Sequence, residues 1–162
     1  MAFDVVRKTG AELSNEELTC CATILRDGKA VDIDQARRQL PRACAVAILR
    51  LEGTVVGLGA VKSPRPNYAR QIASDEKSGI AFDPAMHELG YTAVLEQHQG
   101  KGGSGQIVGS LLREFPGPLW ATTYNEAMKK TLKKHEFKRS GTAWLKKDRM
   151  ECLSLWIKPA PH

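Results

Sequence analysis

The stretch Val94-Leu95-Glu96-Gln97-His98-Gln99-Gly100-Lys101-Gly102-Gly103-Ser104-Gly105 constrains this chain more than any other. The run from Glu88 to Glu96 leads into it and reads as a strand. After it, Ile107, Val108, Leu111, Leu112 and Phe115 recur at helical spacing, which predicts an amphipathic helix. A strand, a glycine-dense turn and a helix in that order make an anion site. Glycines let the backbone turn sharply and, without Cβ atoms, let a bulky anion approach. Free N–H groups and the positive end of the helix then favour phosphate. This physics selects a phosphate-bearing ligand without choosing which.

Strand and helix signals fill the rest of the chain. Phe3 to Lys8 is a short strand candidate. Ser14 and Glu17 form a capping box, Leu13 and Leu18 sit at staple positions, and Leu18, Cys21, Ala22 and Leu25 make a helical stripe that Gly28 ends. Asp32 and Gln35 repeat the capping pattern for a shorter helix that Pro41 stops. Cys44 to Leu51 and Thr54 to Lys62 are strands joined through Glu52-Gly53 as a hairpin. Ser63 to Phe82, polar and holding Pro64 and Pro66, reads as loop with an irregular strand at most. Pro116-Gly117-Pro118 closes the helix after the glycines, and Leu119 to Tyr124 is the next strand. Asn125 caps a helix with the apolar face Met128, Thr131, Leu132 and His135. Phe137 to Lys146 and Cys152 to Lys158 are the last strands. The 162 residues suit one domain spanning the whole chain.

Composition narrows the class. Apolar residues make 42% and charged residues 26%, ordinary for a globular protein, and no apolar run approaches the roughly 20 residues that span a bilayer. The start, Met1-Ala2-Phe3-Asp4-Val5, does not read as a signal peptide, so a cytoplasmic protein is expected. Cys20, Cys21, Cys44 and Cys152 form no C-x-x-C pair and have no His at finger spacing. Reduced thiols and no metal are expected. The net charge of +6 suits a phosphate-rich ligand. Much of it lies late, in Lys129, Lys130, Lys133, Lys134, Lys138, Arg139, Lys146, Lys147 and Arg149. These lack the aromatic interleaving of a single-strand binder, so nucleic acid is not an expected partner.

At the glycine turn the chain resembles the GNAT superfamily of acyl-CoA N-acyltransferases, whose hallmark is Q/R-x-x-G-x-G/A at a strand-to-helix junction. Gln97-His98-Gln99-Gly100-Lys101-Gly102 fits it, and a second register, Gln99-Gly100-Lys101-Gly102-Gly103-Ser104, fits except at its last place. Downstream, Asn125, Ala127, Leu132 and Phe137 look like the family's second cofactor motif, with two departures. The family's Gly before that Phe is Glu136, and the Tyr that many members carry five places earlier is Leu132. The resemblance implies an α/β (α+β) fold: a mixed, mainly antiparallel central sheet of about seven strands, flanked by about four helices, with a splayed parallel pair at the cofactor site.

It also implies chemistry. The donor would be acetyl-CoA, held by Gln99, Gly100, Lys101, Gly102, Gly103, Ser104 and Gly105. A backbone N–H near Val94 would polarise the thioester carbonyl, and Asn125 would contact the pantetheine arm or cap its helix. Glu88 would deprotonate a primary amine on a small-molecule or protein acceptor, acting through water if needed, while His87 should face the opposite way on the strand; from the residues alone Glu88 reads equally as a solvated strand-end charge. With Leu132 at the Tyr position, Tyr124 or Tyr91 would protonate the thiolate, and Leu132→Tyr should fold. Ser14 to Arg42 and Ser63 to Phe82 would line the acceptor side; a homodimer stays open.

Two other readings use the same residues. Gly100-x-Gly102-x-x-Gly105 is also G-x-G-x-x-G, the dinucleotide fingerprint, which requires a βαβαβ unit. A regulatory module that binds acyl-CoA without catalysis would keep the turn and lose the Tyr.

Overall fold

The computed structural model describes residues 2–28, 32–145 and 152–161. Seven strands, β1 (Asp4–Lys8), β2 (Ala45–Leu51), β3 (Thr54–Lys62), β4 (His87–Val94), β5 (Leu119–Thr123), β6 (Lys138–Leu145) and β7 (Cys152–Lys158), pair in the order β1-β2-β3-β4-β5-β7-β6. The helices are α1 (Asn15–Asp27), α2 (Ile33–Gln39), α3 (Pro66–Ala73), α4 (Gly103–Glu114) and α5 (Glu126–Lys134). The sheet is mixed and mainly antiparallel, as expected. Its parallel pair, β4 with β5, is registered only at His87↔Leu119 and Glu88↔Trp120. No described helix is long and apolar enough to cross a membrane. The chain divides into two compact units, residues 1–63 with 89–115 and residues 64–88 with 116–162.

In the first unit the local signals act as read. Ser14 Oγ accepts from Glu17 N–H at 3.1 Å, and Glu17 Oε1 accepts from Ser14 N–H at 2.9 Å, so the box closes both ways. Asp32 caps α2 through Gln35 N–H at 2.8 Å. Glu52 and Gly53 take φ of 51° and 80°, the doubly left-handed turn that suits a tight hairpin. β2 and β3 bury alternating sets of side chains on opposite faces. Val46, Ile48, Leu58 and Ala60 pack with Cys21, Leu25 and Ala36 from α1 and α2. On the other face Gly59 makes room for α4. A Cβ there would collide with Ile107 Cγ2, so only glycine lets this helix come so close. Gly28 ends α1 at an ordinary φ of −78°, not as a left-handed stop.

In the second unit, β5 and β7 are antiparallel from Leu119↔Lys158 to Thr123↔Ser154, and β6 adds to β7 with a register shift between Ser140 and Trp144. Gly141, at φ 72°, lies in that irregularity, and Thr142 N–H donates to Ser78 O at 3.0 Å. Trp120, Leu155, Trp144 and Leu153 make a core with Met86, Ala69 and Ile72.

Ala69 and Ile72 belong to α3, and here the loop expectation fails. Pro66 is the first helical residue, where its missing N–H costs nothing and its fixed φ helps. Ala69 and Ile72, three apart, form its buried stripe. Reading the prolines as breakers hid a helix start, so five α-helices are described where about four were expected.

Candidate functional site

The glycine turn begins where β4 ends. Gln99 Nε2 donates to Val94 O at 3.0 Å, folding the segment back on its strand. Glu96–His98 make one 3-10 turn, and Gly100 and Gly102 then take φ of 78° and 84°. Gly102 is the N-cap of α4 and itself has no side chain to cap the helix, and Gln106 N–H donates to Gly102 O at 3.2 Å. The helix boundary therefore favours the register beginning at Gln99, with Gly102 at the turn and Ser104 in the first helical turn.

The glycines divide by role. Cβ atoms built on Gly100, Gly102 and Gly105 meet nothing within 4 Å, so each of these positions faces open space. Gly103 is glycine for packing, because its Cβ would meet Leu49 Cδ2 at 2.7 Å. Lys101 is exposed. Two polar atoms in this region are buried without hydrogen-bond partners: Thr92 Oγ1 on β4 and His98 Nδ1 just before the turn. An open glycine cradle at the N-terminus of a 12-residue helix, beside an orphaned ring nitrogen, fits a diphosphate. On β4, Tyr91 takes a left-handed φ of 52°, rare for an aromatic residue and a break in the regular pleat. Lys62 Nζ lies 3.9 Å from the centroid of its ring.

Glu88, Tyr124 and Asn125 belong to the second unit. Glu88 is 4% exposed, so it is no solvated strand-end charge. Arg65 holds it, with Nη2 at 2.6 Å and Nε at 3.2 Å from Oε1. The same guanidinium stacks 4.1 Å from the centre of the Tyr68 ring. Burial pushes the Tyr68 hydroxyl pKa up; the Glu88 carboxylate adds to the rise and Arg65 opposes it. Tyr68 and Phe82 pack on Trp120 at 5.8 and 5.1 Å between centroids. Sequence reasoning put Arg65 and Tyr68 in an acceptor-side stretch but missed their contacts with Glu88 and Trp120, because it placed no helix there; once α3 starts at Pro66, both sit at its first turn.

Tyr124 is half-buried against the Trp120 core. Asn125 Oδ1 accepts from Met128 N–H at 3.0 Å, so its side chain is used as a helix cap. Leu132 is fully buried, so a tyrosine there would have to enter a filled core. At the next departure the backbone keeps what the side chain lost. Glu136 has φ 71°, its N–H donates to Lys133 O, and Phe137 N–H donates to Leu132 O at 3.0 Å, the paired bonds of a glycine-type helix stop.

The dinucleotide reading fails on topology. Its fingerprint opens a run of parallel crossovers, whereas β2 and β3 before it are antiparallel and β5 lies antiparallel to β7. No protein-family model matches the chain, and no curated protein does. Solved structures do. A GNAT-family acetyltransferase from Streptococcus agalactiae superposes with a TM-score of 0.72 at 13% identity, over 98% of this chain and 96% of that one. A ribosomal-protein-alanine N-acetyltransferase from Brucella melitensis gives 0.69 at 19%, over 96% and 99%. An N-acetyltransferase from Staphylococcus aureus gives 0.67 at 21%, over 96% and 98%.

Proposed function

Because this chain has the GNAT fold, we propose that it is an N-acyltransferase that moves an acetyl group from acetyl-CoA to a primary amine on a small-molecule or protein acceptor. One observation carries the reading: the helix-end cradle in which Gly100, Gly102 and Gly105 leave open space where side chains would stand. When bound there, acetyl-CoA supplies an activated thioester. The residues of this chain then have separate tasks. Backbone N–H groups of the turn hold the diphosphate, with Lys101 adding a screened charge. A β4 backbone N–H near Val94 polarises the carbonyl. Glu88, oriented by Arg65, attracts the acceptor's ammonium and accepts its proton directly or through water. Tyr124 is the candidate proton donor to the departing sulfur.

Leu132, buried where many relatives of this fold carry Tyr, supports a second reading in which the chain binds acyl-CoA and does not transfer. Free-thiol release measured across an amine and peptide panel separates the two. Binding itself is tested by calorimetry with acetyl-CoA. Gly102→Val and Gly105→Val should abolish most of the affinity. Gly105 is the cleaner position, being helical with no positive φ to strain. Lys101→Ala should lose no more than about fivefold, as for a screened surface charge. Equal losses for all three, or tight NADH binding without acetyl-CoA binding, would overturn the proposal.

A further inference from the structure

A second charged feature lies apart from the glycine turn in sequence. Along α5 and the start of β6, Lys130, Lys133, Lys134, Lys138 and Arg139 are exposed. None pairs with a carboxylate among the described residues. The nearby acids are few: Glu126 bonds Lys129 at 2.8 Å, and Glu136 lies 3.9 Å from Lys158. Lys129 holds the Glu126 carboxyl below its usual range, and Lys130 on the helix and Arg139 on the strand both add to that effect. Lys130, Lys133 and Lys134 share one helical face by their spacing.

The chemistry of the rest of this surface decides what it suits. A protein partner needs apolar or aromatic anchors to bury. Between residues 126 and 139 the large apolar side chains Leu132 and Phe137 are 0% and 1% exposed, and Met128 is half-buried, so no cluster of anchors is offered. A membrane needs an apolar helix face to insert, and Leu132 has already spent that face on the core. Single-stranded nucleic acid needs exposed rings for stacking, and none is present among the described residues of this stretch. A duplex backbone needs only cations, because its affinity comes from released counterions.

We propose that the α5–β6 face docks on the phosphate backbone of a nucleic-acid duplex without reading its sequence. This stands independently of the transferase reading. The test is fluorescence anisotropy of the intact protein with duplex DNA and duplex RNA, each in two unrelated sequences, over a salt series. Lys138 and Arg139 alternate across β6, and Arg139 is the one that acts on Glu126, so four cations share the face; if all four meet phosphates, the log–log salt slope is about −3.6, a loss of about 150-fold from 50 to 200 mM salt. Lys130→Gln, Lys133→Gln and Lys134→Gln together should flatten it to about −0.9, a loss of about 3.5-fold. Circular dichroism and acetyl-CoA affinity should stay at parent values. The DNA and RNA arms show which backbone is preferred, and the two sequences should bind alike. The proposal is overturned if neither duplex binds at 50 mM salt, or if the triple variant keeps the parent slope. Tighter binding of single strands, or displacement of the duplex by saturating acetyl-CoA, overturns it as well; the latter would mark these lysines as part of the donor nucleotide's own subsite.

Discussion

Glu136→Gly should make this protein more stable. Glu136 sits just past the end of α5 at φ 71°, where an L side chain crowds its own backbone. Holding a non-glycine residue there costs about 1–2 kcal/mol. Glycine escapes that cost but loses more conformational freedom on folding, about 0.5–1 kcal/mol. Two side-chain effects nearly cancel. Removing a carboxylate from a helix C-terminus gains about 0.3–1 kcal/mol. Losing the 3.9 Å contact to Lys158, from a side chain 84% exposed, loses a comparable amount. The net is a gain of about 0.5–1 kcal/mol, which for a chain this size raises Tm by about 1–4 °C. Glu136→Ala is the control, since it removes the charge and keeps the Cβ. Thermal melts and urea titrations of the three proteins separate backbone from charge. If alanine stabilises as much as glycine, or glycine lowers Tm, the backbone is not the source and the reasoning fails.

Leu132→Tyr should destabilise by about 1–3 kcal/mol, seen as a lower urea midpoint, because a ring with a hydroxyl must enter a filled core. A parent-like midpoint would show an unseen void. Glu17, bonded foremost by Lys8 and then by the Ser14 backbone, has its pKa lowered to about 2. Its folded value is depressed, so its stabilisation is present above the ordinary carboxylate range and lost as pH falls toward 2. The Tm gap between parent and Glu17→Gln should therefore be full at pH 7 and shrink from about pH 4.5 downward; a pH-independent gap would place the effect in packing. With an acceptor in hand, Glu88→Gln should cut turnover by about a hundredfold to ten-thousandfold while calorimetry shows unchanged acetyl-CoA affinity. Parent-like turnover across pH 6 to 9 would leave Glu88 a structural partner of Arg65.

The elements that sequence revealed best are those whose signals are local. The Ser14–Glu17 box, the Asp32 and Asn125 caps and the Glu52-Gly53 turn each depend on neighbours within a few residues. The glycine turn was legible for the same reason, although its packing glycine, Gly103, is distinguishable from its open ones only once Leu49 is placed beside it. What stayed hidden depends on distant chain. Glu88 reads equally as a buried or a solvated acid until Arg65, 23 residues earlier, is seen to hold it. Leu132 reads as a replaceable helix residue until the core closes over it. Helix α3 was a different failure: the signal was present in Pro66, Ala69 and Ile72, and a proline was given the wrong sign.

Each compact unit is assembled from two separated lengths of chain, and this has a consequence during synthesis. Residues 64–88 leave the ribosome early, carrying Tyr68, Ala69, Ile72 and Met86, but Trp120 and Leu155, on which that core closes, come much later. The first unit has all its strands once residue 115 has emerged, while the second waits for the last segment at about 5–20 residues per second. For some seconds the nascent chain therefore presents Tyr68, Ile72 and Met86 without the core that later covers them, a window for chaperone capture.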